Sequence, residues 1–352
     1  MLAELPDLWD VNIADWSNDS QTARFADEGY QEQYISGVKA LTSKPVVGVG
    51  RYTSPDAMVS AIKRGVMDMI GAARPSIADP FLPSKIQNGQ IDLIRECIGC
   101  NICVTGDNLC VPIRCTQNPT MGEEWRRGWH PEQIPAAGSE HKVLVVGAGP
   151  AGLEAARALG QRGYSVALAE AGTELGGRVR QESRLPGLAS WMRVADYRIY
   201  QLQQMPNVDI YKDSHLTADD VLGFGFEQVI LATGATWRKD GFGRQHREAM
   251  VNPAWPQVFS PTDIFHGAQL ASPVVIYDDD HFYMAGVLAE QLRRQNLEVH
   301  YVTPSTKVSE WTEQTMEQAR VQKRLIEMGV KLHLTRELAG AGGRPPLAVA
   351  ET

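Results

Sequence analysis

The cysteines are the most concentrated chemical feature of the sequence. All five lie in the stretch CIGCNICVTGDNLCVPIRC, and none occurs elsewhere in the 352 residues. The first three recur at every third position, so a looping backbone can bring their side chains onto one object from three sides. Three close ligands and one remote ligand are typical of an iron–sulfur cubane, whereas zinc sites usually take their ligands as two separated pairs. The spacing therefore predicts a [4Fe–4S] cluster bound by Cys97, Cys100, Cys103 and Cys115, the alternatives being Cys110 as the fourth ligand, a zinc site, or free thiols.

A glycine-rich segment further along the chain predicts a dinucleotide site. The stretch VLVVGAGPAG has the pattern of a buried strand followed by Gly147, Gly149 and Gly152 at the start of a helix. Glycines at this spacing let backbone N–H groups approach a pyrophosphate at the helix N-terminus. Glu170, after the next strand, can accept hydrogen bonds from a ribose. The alternative is a tight turn with an incidental surface Glu, but the flanking strand, helix and acid favour the nucleotide site.

Two shorter stretches downstream refine the type of nucleotide domain. LGGR contains Gly177 and Arg178, and VILATGA contains Thr233 and Gly234 directly after a buried strand. Each stretch alone is a weak signal. Together with the glycine fingerprint they indicate the FAD-binding domain of a flavin-disulfide-reductase type of protein rather than a simple dehydrogenase.

Alternating strands and helices must position both sites. Residues 7–96 contain three successive units, each an apolar strand followed by a polar loop and an amphipathic helix. This alternation implies parallel βα units, in either a barrel or a doubly wound sheet. The periodicity is lost over residues 97–140, which are rich in Cys, Pro, Gly and Trp, and it resumes from residue 141. The predicted fold class is therefore α/β, with two sets of βα units separated by the cysteine segment.

The composition of the chain limits which binding partners and which cellular compartment we expect. The formal net charge is −8, with 43% hydrophobic and 22% charged residues, which is the profile of a globular protein. The acidic balance gives no reason to expect nucleic acid or an anionic membrane as partner. No apolar run approaches the ~20 residues that span a bilayer, and the start MLAELPDLWD lacks the basic residues of a signal peptide. We therefore expect a cytoplasmic protein, in which clustered cysteines are more often metal ligands than disulfides.

Several long stretches of the sequence resemble those of one protein family. CIGCNIC, CTQNPTMGEEWRRGWHPE, VLVVGAGPAGLEAARAL and the pair GVGRYTSPD and GAARPSIADPFLPSKI are similar to the trimethylamine, dimethylamine and histamine dehydrogenases. These are iron–sulfur flavoproteins related to 2,4-dienoyl-CoA reductase and old yellow enzyme. The resemblance implies an FMN-bearing TIM barrel, a [4Fe–4S] cluster beyond it, and a nucleotide domain related to glutathione reductase that holds FAD or ADP.

The resemblance also implies domain boundaries. Residues 1–96 would form the last three βα units of the barrel, 97–140 the cluster segment and linker, 141–272 the FAD- or ADP-binding Rossmann-like domain, 273–338 a second, NAD-like lobe, and 339–352 an irregular tail. The family barrel has eight βα units and its nucleotide domain is completed by a further C-terminal segment. We therefore expect this chain to be truncated at both ends relative to the family, and to be catalytically incomplete by itself.

The resemblance places an FMN phosphate at the barrel rim. In a TIM barrel such a phosphate commonly lies on the loops after strands seven and eight. Those loops here are GVGRYT and GAARPS, so the resemblance implies Gly50, Arg51, Ala73 and Arg74 as phosphate-binding residues, the alternative for the arginines being surface solvation. Asp19, in the loop after the first strand, matches the acid near the amine substrate of the family, although an Asp in SNDSQ is also typical of a turn or cap.

The activity implied by the resemblance is oxidation of a methylated or primary amine at FMN. Hydride-equivalent transfer to the flavin leaves an iminium, which water hydrolyses to an aldehyde and the smaller amine. Single electrons then pass through the cluster to an external carrier such as an electron-transferring flavoprotein, and the intact family members imply a homodimer. The rivals are an NADH-dependent 2,4-dienoyl-CoA or enoate reductase, with the opposite electron direction, and a non-catalytic fragment.

The second lobe carries a feature that argues against nicotinamide binding. Its first strand, PVVIY, is followed by Asp278, Asp279 and Asp280 where a functional site would have glycines. Three carboxylates would repel a pyrophosphate instead of cradling it. We therefore interpret this NAD-like lobe as vestigial, which favours an enzyme whose reductant is the substrate.

Overall fold

The structure is a computed structural model that describes residues 2–130, 132, 134–137, 140–338 and 349–351. The chain divides into two compact units, Met1–Gly234 and Ala235–Thr352. Within the described residues, no helix has the length and apolar character needed to cross a membrane.

The first unit begins with a parallel three-stranded sheet in the order β1-β2-β3. Its strands are β1 (Trp9–Val11), β2 (Val46–Gly48) and β3 (Met69–Ile70), with α1 (Trp16–Asp19), α2 (Glu32–Lys39), α3 (Pro55–Lys63), α4 (Ala73–Ala78) and α5 (Leu82–Gln87) between and after them. The start of helix α3 is specified by its local sequence. Ser54 caps its N-terminus by accepting from the Ala57 N–H, and Pro55 occupies the first turn, where no donor is needed. The three predicted βα units are present.

The cysteine segment is less irregular than its sequence suggests. After a 3-10 turn at Ile91–Leu93, it forms α6 (Ile102–Asn108) and α7 (Glu124–Arg127). Helix α6 follows Asn101, which adopts a left-handed backbone conformation with φ 58°. Asn tolerates this conformation better than most residues, so the chain can change direction between two cysteines. We predicted no periodic structure here, and seven helical residues were too few to give a periodic signal.

A second parallel sheet completes the first unit, in the order β6-β5-β4-β7. Its elements are β4 (Lys142–Val146), α8 (Pro150–Gln161), β5 (Ser165–Ala169), α9 (Arg178–Glu182), α10 (Arg193–Gln203), β6 (Val208–Tyr211), α11 (Ala218–Gly223) and β7 (Gln228–Leu231). Strand β4 lies between β5 and β7, and Val143 and Val145 on it are fully buried. The carboxyl ends of these strands therefore meet beside the start of α8, as the glycine fingerprint predicts.

The second unit contains another parallel sheet in the order β10-β9-β8. Its elements are α12 (Pro261–Phe265), β8 (Val274–Tyr277), α13 (Met284–Arg294), β9 (Val299–Val302), α14 (Gln318–Glu327), β10 (Lys331–His333), β11 (Arg336–Leu338) and β12 (Val349–Glu351). The division of units falls at residue 234, whereas the sequence suggested a boundary at 272. The reason is that the segment after 234 bonds within the second unit, for example from the Gln245 N–H to Asp279.

The tail is not irregular throughout its described part. Strand β12 pairs antiparallel with β11, with Leu338 opposite Val349. The rest of the predicted tail, residues 339–348 and 352, lies outside the described residues.

Candidate redox and nucleotide sites

Four cysteines line one cavity in the first unit. Cys97 and Cys100 come from the loop before α6, Cys103 from its first turn, and Cys115 from the loop that follows it. Arg74, Asn101 and Thr116 contribute to the same lining. The cavity lining thus combines four cysteine sulfurs with the cationic side chain of Arg74.

Backbone donors are directed at two of the sulfurs. The Gly99 N–H donates to Cys97 Sγ and the Gln117 N–H donates to Cys115 Sγ, each at 3.3 Å. Cys100 Sγ lies 3.2 Å from the Thr116 hydroxyl. Donors of this kind stabilise negative charge on sulfur, which is the charge that a metal-bound thiolate carries.

Burial sets the protonation of these thiols. It raises the pKa of Cys97, and it raises the pKa of Cys100 to about 12 and that of Cys103 to about 11. The positive charge of Arg74 opposes part of this rise at Cys97 and Cys103. Without a metal the thiols of Cys97, Cys100 and Cys103 are therefore neutral at pH 7, and ligation of iron must release their protons.

Cys110 has different surroundings from the other four cysteines. Its side chain is exposed and lies outside the cavity lining, and its backbone has φ 53°. The loop folds back at this point, because the Val111 N–H donates to Gly106 O at 2.9 Å. This turn carries Cys110 outward and returns the chain toward Cys115.

The spacing of the cavity sulfurs bears on the kind of metal. Among the described residues, no three His, Cys, Asp or Glu side chains converge as ligands of a single ion. A tetrahedral zinc site would bring its sulfurs to about 3.8 Å from one another, given a Zn–S bond of about 2.3 Å. A cubane keeps its thiolates further apart because each one binds a different iron. The four cysteines of the cavity supply the number of thiolates that a [4Fe–4S] cubane binds.

The two rim arginines extend toward the cysteine loop. Arg51 Nε donates to Ala26 O at 2.9 Å, while its buried Nη1 has no hydrogen-bond partner among the described residues. Arg74 Nη1 donates to Gln21 O at 2.7 Å. Gly50 is buried and Ala73, the first residue of α4, is exposed. Arg51 is thus a cation with spare donor capacity, and simple surface solvation does not describe it.

Asp19 closes the short helix α1 and is half-buried. Its Oδ1 accepts a hydrogen bond from Gln31 Nε2 at 3.1 Å. The N-cap of α1 is Asp15, not Asp19, so the capping explanation applies to a different residue. Asp19 keeps a partly accessible carboxylate on the loop after β1.

The glycine fingerprint forms the close turn that a dinucleotide site requires. A Cβ at Gly147, where φ is 99°, would lie 2.4 Å from Ala232 O, and a Cβ at Gly152 would lie 1.8 Å from Gly147 O. Neither position tolerates a side chain. A Cβ at Gly149 would meet nothing within 4 Å, so the space above the start of α8 is open. The turn is therefore a cradle that a side chain at Gly149 would fill.

Glu170 and the second glycine pair support this turn. The Glu170 carboxylate accepts from the Ala148 N–H at 2.7 Å and from the Gly172 N–H at 2.8 Å. Gly177 approaches the turn so closely that a Cβ there would lie 2.9 Å from Gly149 Cα. Glu170 thus orders the glycine loop in addition to its predicted contact with a ribose.

The remaining predicted nucleotide residues surround the same turn. A Cβ at Gly147 would be 3.2 Å from Thr233 Cα, so the loop after β7 reaches the glycine turn. Thr233 and Gly234 are exposed there. Arg178 begins α9 next to Gly177 and pairs with Glu182 at 2.7 Å. These sequence-distant residues come together at one edge of the second sheet.

The acidic turn of the second unit is filled by its own chain. Asp278 is buried and accepts from the His281 N–H at 2.9 Å and from the Tyr301 hydroxyl. Asp279 accepts from the backbone N–H groups of Arg244 and Gln245. The carboxyl end of β8 is therefore occupied by internal hydrogen bonds, and the first carboxylate points into the protein.

Sequence reasoning missed a second set of contacts around the cysteines. Gln117, whose N–H donates to Cys115, accepts from Arg198 Nη1 at 3.0 Å through its side chain. Arg198 lies on α10, 81 residues away, so no local pattern could have identified it. Asn101 was also missed, although an Asn between two closely spaced cysteines is a recognisable signal for a left-handed turn.

Two parts of the chain match known domain families. Residues 1–92 match the NADH:flavin oxidoreductase / NADH oxidase family, and residues 145–210 match an NAD(P)-binding Rossmann-like domain. The first of these families consists of flavin-dependent oxidoreductases, and the second match agrees with the parallel sheet of residues 142–231.

Individual relatives narrow the class. The chain is 43% identical over 340 residues to dimethylamine dehydrogenase of Hyphomicrobium sp. (strain x), covering 93% of this chain and 46% of that protein. The structure of histamine dehydrogenase from Rhizobium sp. 4-9 is 56% identical, with a TM-score of 0.93 over 96% of this chain and 50% of that one. The 6-hydroxypseudooxynicotine amine oxidase of Pseudomonas geniculata N1 is 54% identical, with a TM-score of 0.92 over 97% and 51%.

The chain therefore belongs to the dimethylamine and histamine dehydrogenase family, and the resemblance drawn from the sequence is confirmed. It spans about half the length of these relatives.

Proposed function

We propose that this chain is part of an iron–sulfur flavoprotein that oxidises an amine and passes the electrons through a [4Fe–4S] cluster to an external acceptor. The observation that carries the proposal is the cavity lined by Cys97, Cys100, Cys103 and Cys115 in a chain similar to amine dehydrogenases. When bound, the flavin supplies two-electron chemistry at the amine and the cluster supplies single-electron transfer.

The cysteines and their backbone donors would hold the cluster. The Gly99 and Gln117 N–H groups orient and stabilise the sulfurs of Cys97 and Cys115. Arg198 fixes Gln117 from the nucleotide domain, so one donor is set by a contact distant in sequence. These contacts support a preorganised site for a negatively charged cluster.

The barrel-rim residues would hold FMN through its phosphate. The buried, unpartnered Nη1 of Arg51 supports an anion at this position, since a cationic donor is costly to leave unpaired. Gly50, Ala73 and Arg74 complete the proposed phosphate site. Asp19, with a partly accessible carboxylate, would attract and orient a cationic amine after β1.

The glycine turn would hold an adenine nucleotide, as FAD or ADP. Gly147 and Gly152 permit the close turn, and the open space at Gly149 leaves room for a pyrophosphate. Glu170, Gly177, Arg178, Thr233 and Gly234 surround this position. In keeping with the sequence interpretation, we further propose a cytoplasmic homodimer that uses an electron-transferring flavoprotein as acceptor.

The second candidate is an NADH-dependent 2,4-dienoyl-CoA or enoate reductase. The match of residues 1–92 to a family named for NADH:flavin oxidoreductases favours it. The carboxylates at the end of β8 favour the amine dehydrogenase, because Asp278 and Asp279 stand where glycines would cradle a pyrophosphate. A catalytically incomplete fragment is the third possibility.

The direction of electron flow separates the candidates. An intact enzyme, built by restoring an N-terminal half-barrel to this chain and loaded with flavin, is mixed anaerobically with dimethylamine, histamine or NADH, and flavin absorbance is followed by stopped flow. We expect bleaching by an amine and not by NADH. Rapid bleaching by NADH would support the reductase, and bleaching by no donor would support the incomplete fragment.

A further inference from the structure

Asn101 connects the cysteine loop to the first βα unit through its side chain. The residue is 1% exposed and lies directly between Cys100 and α6. Its Nδ2 donates to Ser20 O at 2.5 Å, and its Oδ1 accepts from Arg74 Nη1 at 2.5 Å. Both ends of the amide are therefore engaged, which fixes its orientation.

The same contacts determine where the Arg74 guanidinium lies. Arg74 Nη1 also donates to Gln21 O, so one guanidinium nitrogen is held between a backbone carbonyl and the Asn101 amide. The side chain held in this way lines the cavity of the four cysteines. A neighbouring backbone bond from the Ala23 N–H to Gly99 O at 2.9 Å joins the same two segments. Arg74 is thus a fixed positive charge at the cysteine cavity.

A fixed cation at this position has a redox consequence. Reduction adds one negative charge to an iron–sulfur cluster, and its potential depends on the surrounding charge and hydrogen bonds. The attraction between that charge and a guanidinium is stronger in a partly buried cavity than in water. A nearby guanidinium therefore stabilises the reduced form and raises the reduction potential.

We propose that Asn101 is a positioning residue that holds Arg74 against the cysteine cavity and thereby raises the reduction potential of the cluster bound there. This role rests on the proposed function, because it requires the cluster. Arg74 would then have two electrostatic roles. One is the predicted contact with the FMN phosphate, and the other is stabilisation of the reduced cluster bound by the cysteines.

The test is a redox titration of the anaerobically reconstituted 352-residue chain, followed by electron paramagnetic resonance. Asn101→Gly removes the amide, and glycine adopts a positive φ without strain. Arg74→Gln removes the charge, and Arg74→Lys retains it. We expect Arg74→Gln to lower the midpoint potential by about 59 mV or more, which is an about tenfold change in a one-electron equilibrium. Asn101→Gly should lower the potential by a smaller amount, and Arg74→Lys should recover much of the loss.

Cys110→Gly is the matched control. Cys110 also has a positive φ and lies at the other end of α6, outside the cavity, so its replacement should leave the potential unchanged. An unchanged potential in Arg74→Gln with full iron content would overturn the proposal. A shift in Arg74→Gln without one in Asn101→Gly would overturn the role of Asn101. If Asn101→Gly binds no iron, Asn101→Ser, which also lacks the amide, is titrated in its place, and an unchanged potential there would overturn the role of Asn101. Absence of iron from the parent chain would instead refute the proposed function.

Discussion

Cys110 and Cys115 are five positions apart, yet their side chains have different surroundings. Cys115 lines the cavity and its sulfur accepts from the Gln117 N–H, whereas Cys110 is exposed on a turn. From the sequence alone, Cys115 was favoured over Cys110 only by the resemblance to the amine dehydrogenase family and by its distance from the first three cysteines. Individual contacts add a physical reason, because a ligand must face the site that it binds.

This difference gives a prediction at the scale of single residues. Cys115→Ala should abolish cluster binding, since a cubane that lacks one of four thiolates loses a covalent anchor. Cys110→Ala is the matched control and should keep the iron and sulfide content of the parent. The measurement is chemical analysis of iron and sulfide after anaerobic reconstitution. Loss of iron from Cys110→Ala with retention in Cys115→Ala would reverse the ligand assignment.

A second residue-scale prediction concerns Gly149. Gly149→Val should reduce bound adenine nucleotide to background, because the new side chain would fill the space that the pyrophosphate needs. Gly223→Val is a suitable control, since Gly223 also has no atom within 4 Å of a Cβ and lies on α11, away from the turn. Nucleotide released by heat is quantified by chromatography. Equal nucleotide in the parent and Gly149→Val would mean that the fingerprint is only a turn.

At the scale of elements, the turns that follow two first strands, β4 and β8, differ in structure. The turn after β4 is open and backed by glycines, whereas the turn after β8 is closed by Asp278 and Asp279. The residue types that make this contrast are visible in the sequence. It did not predict that Asp278 would point inward onto Tyr301, because that contact joins residues on two strands.

The buried Asp278 predicts how the stability of the second unit depends on pH. Burial raises its pKa, and the hydrogen bond from Tyr301 only partly offsets this rise. A carboxyl whose pKa is raised on folding contributes stability below its unfolded pKa, and the contribution is lost as pH rises through the folded value. Asp278→Asn cannot ionise, so the parent should lose stability relative to this variant as the pH rises above about 4, the ordinary pKa of an Asp in the unfolded chain.

Urea unfolding monitored by tryptophan fluorescence at several pH values measures this difference. Asp209→Asn, on an exposed position of β6, controls for the general loss of one negative charge. A parent that gains stability relative to Asp278→Asn with rising pH would contradict the prediction.

The elements also show how far sequence reasoning extends. The three βα units and the β4-α8-β5 crossover were predictable, because apolar strands and capped helices are encoded locally. Helix α6 was missed because it is short, and the division of compact units at residue 234 depends on long-range contacts such as Gln245 with Asp279, which leave no local signal. The hydrogen bonds of Arg198 and Asn101 near the cysteines likewise join distant segments and leave no periodic signal.

At the scale of the whole molecule, the chain combines two candidate cofactor positions and a cysteine cavity within its first unit. Arg74 connects the segment around Gln21 to Asn101 of the cysteine loop, and Arg198 connects the Rossmann-like domain to Gln117 beside Cys115. Such hydrogen bonds fix the candidate sites relative to one another within the first unit. Electron transfer between them would need such a fixed arrangement. The proposed function therefore depends most on whether the cysteine cavity holds a redox cluster.

The most direct test is the metal and sulfide content of the 352-residue chain purified anaerobically. We expect about four irons and four sulfides per chain and a broad visible absorption that dithionite bleaches, as is typical of a [4Fe–4S] cluster. Tightly bound zinc without iron, or a chain that binds no iron after reconstitution, would contradict the central claim.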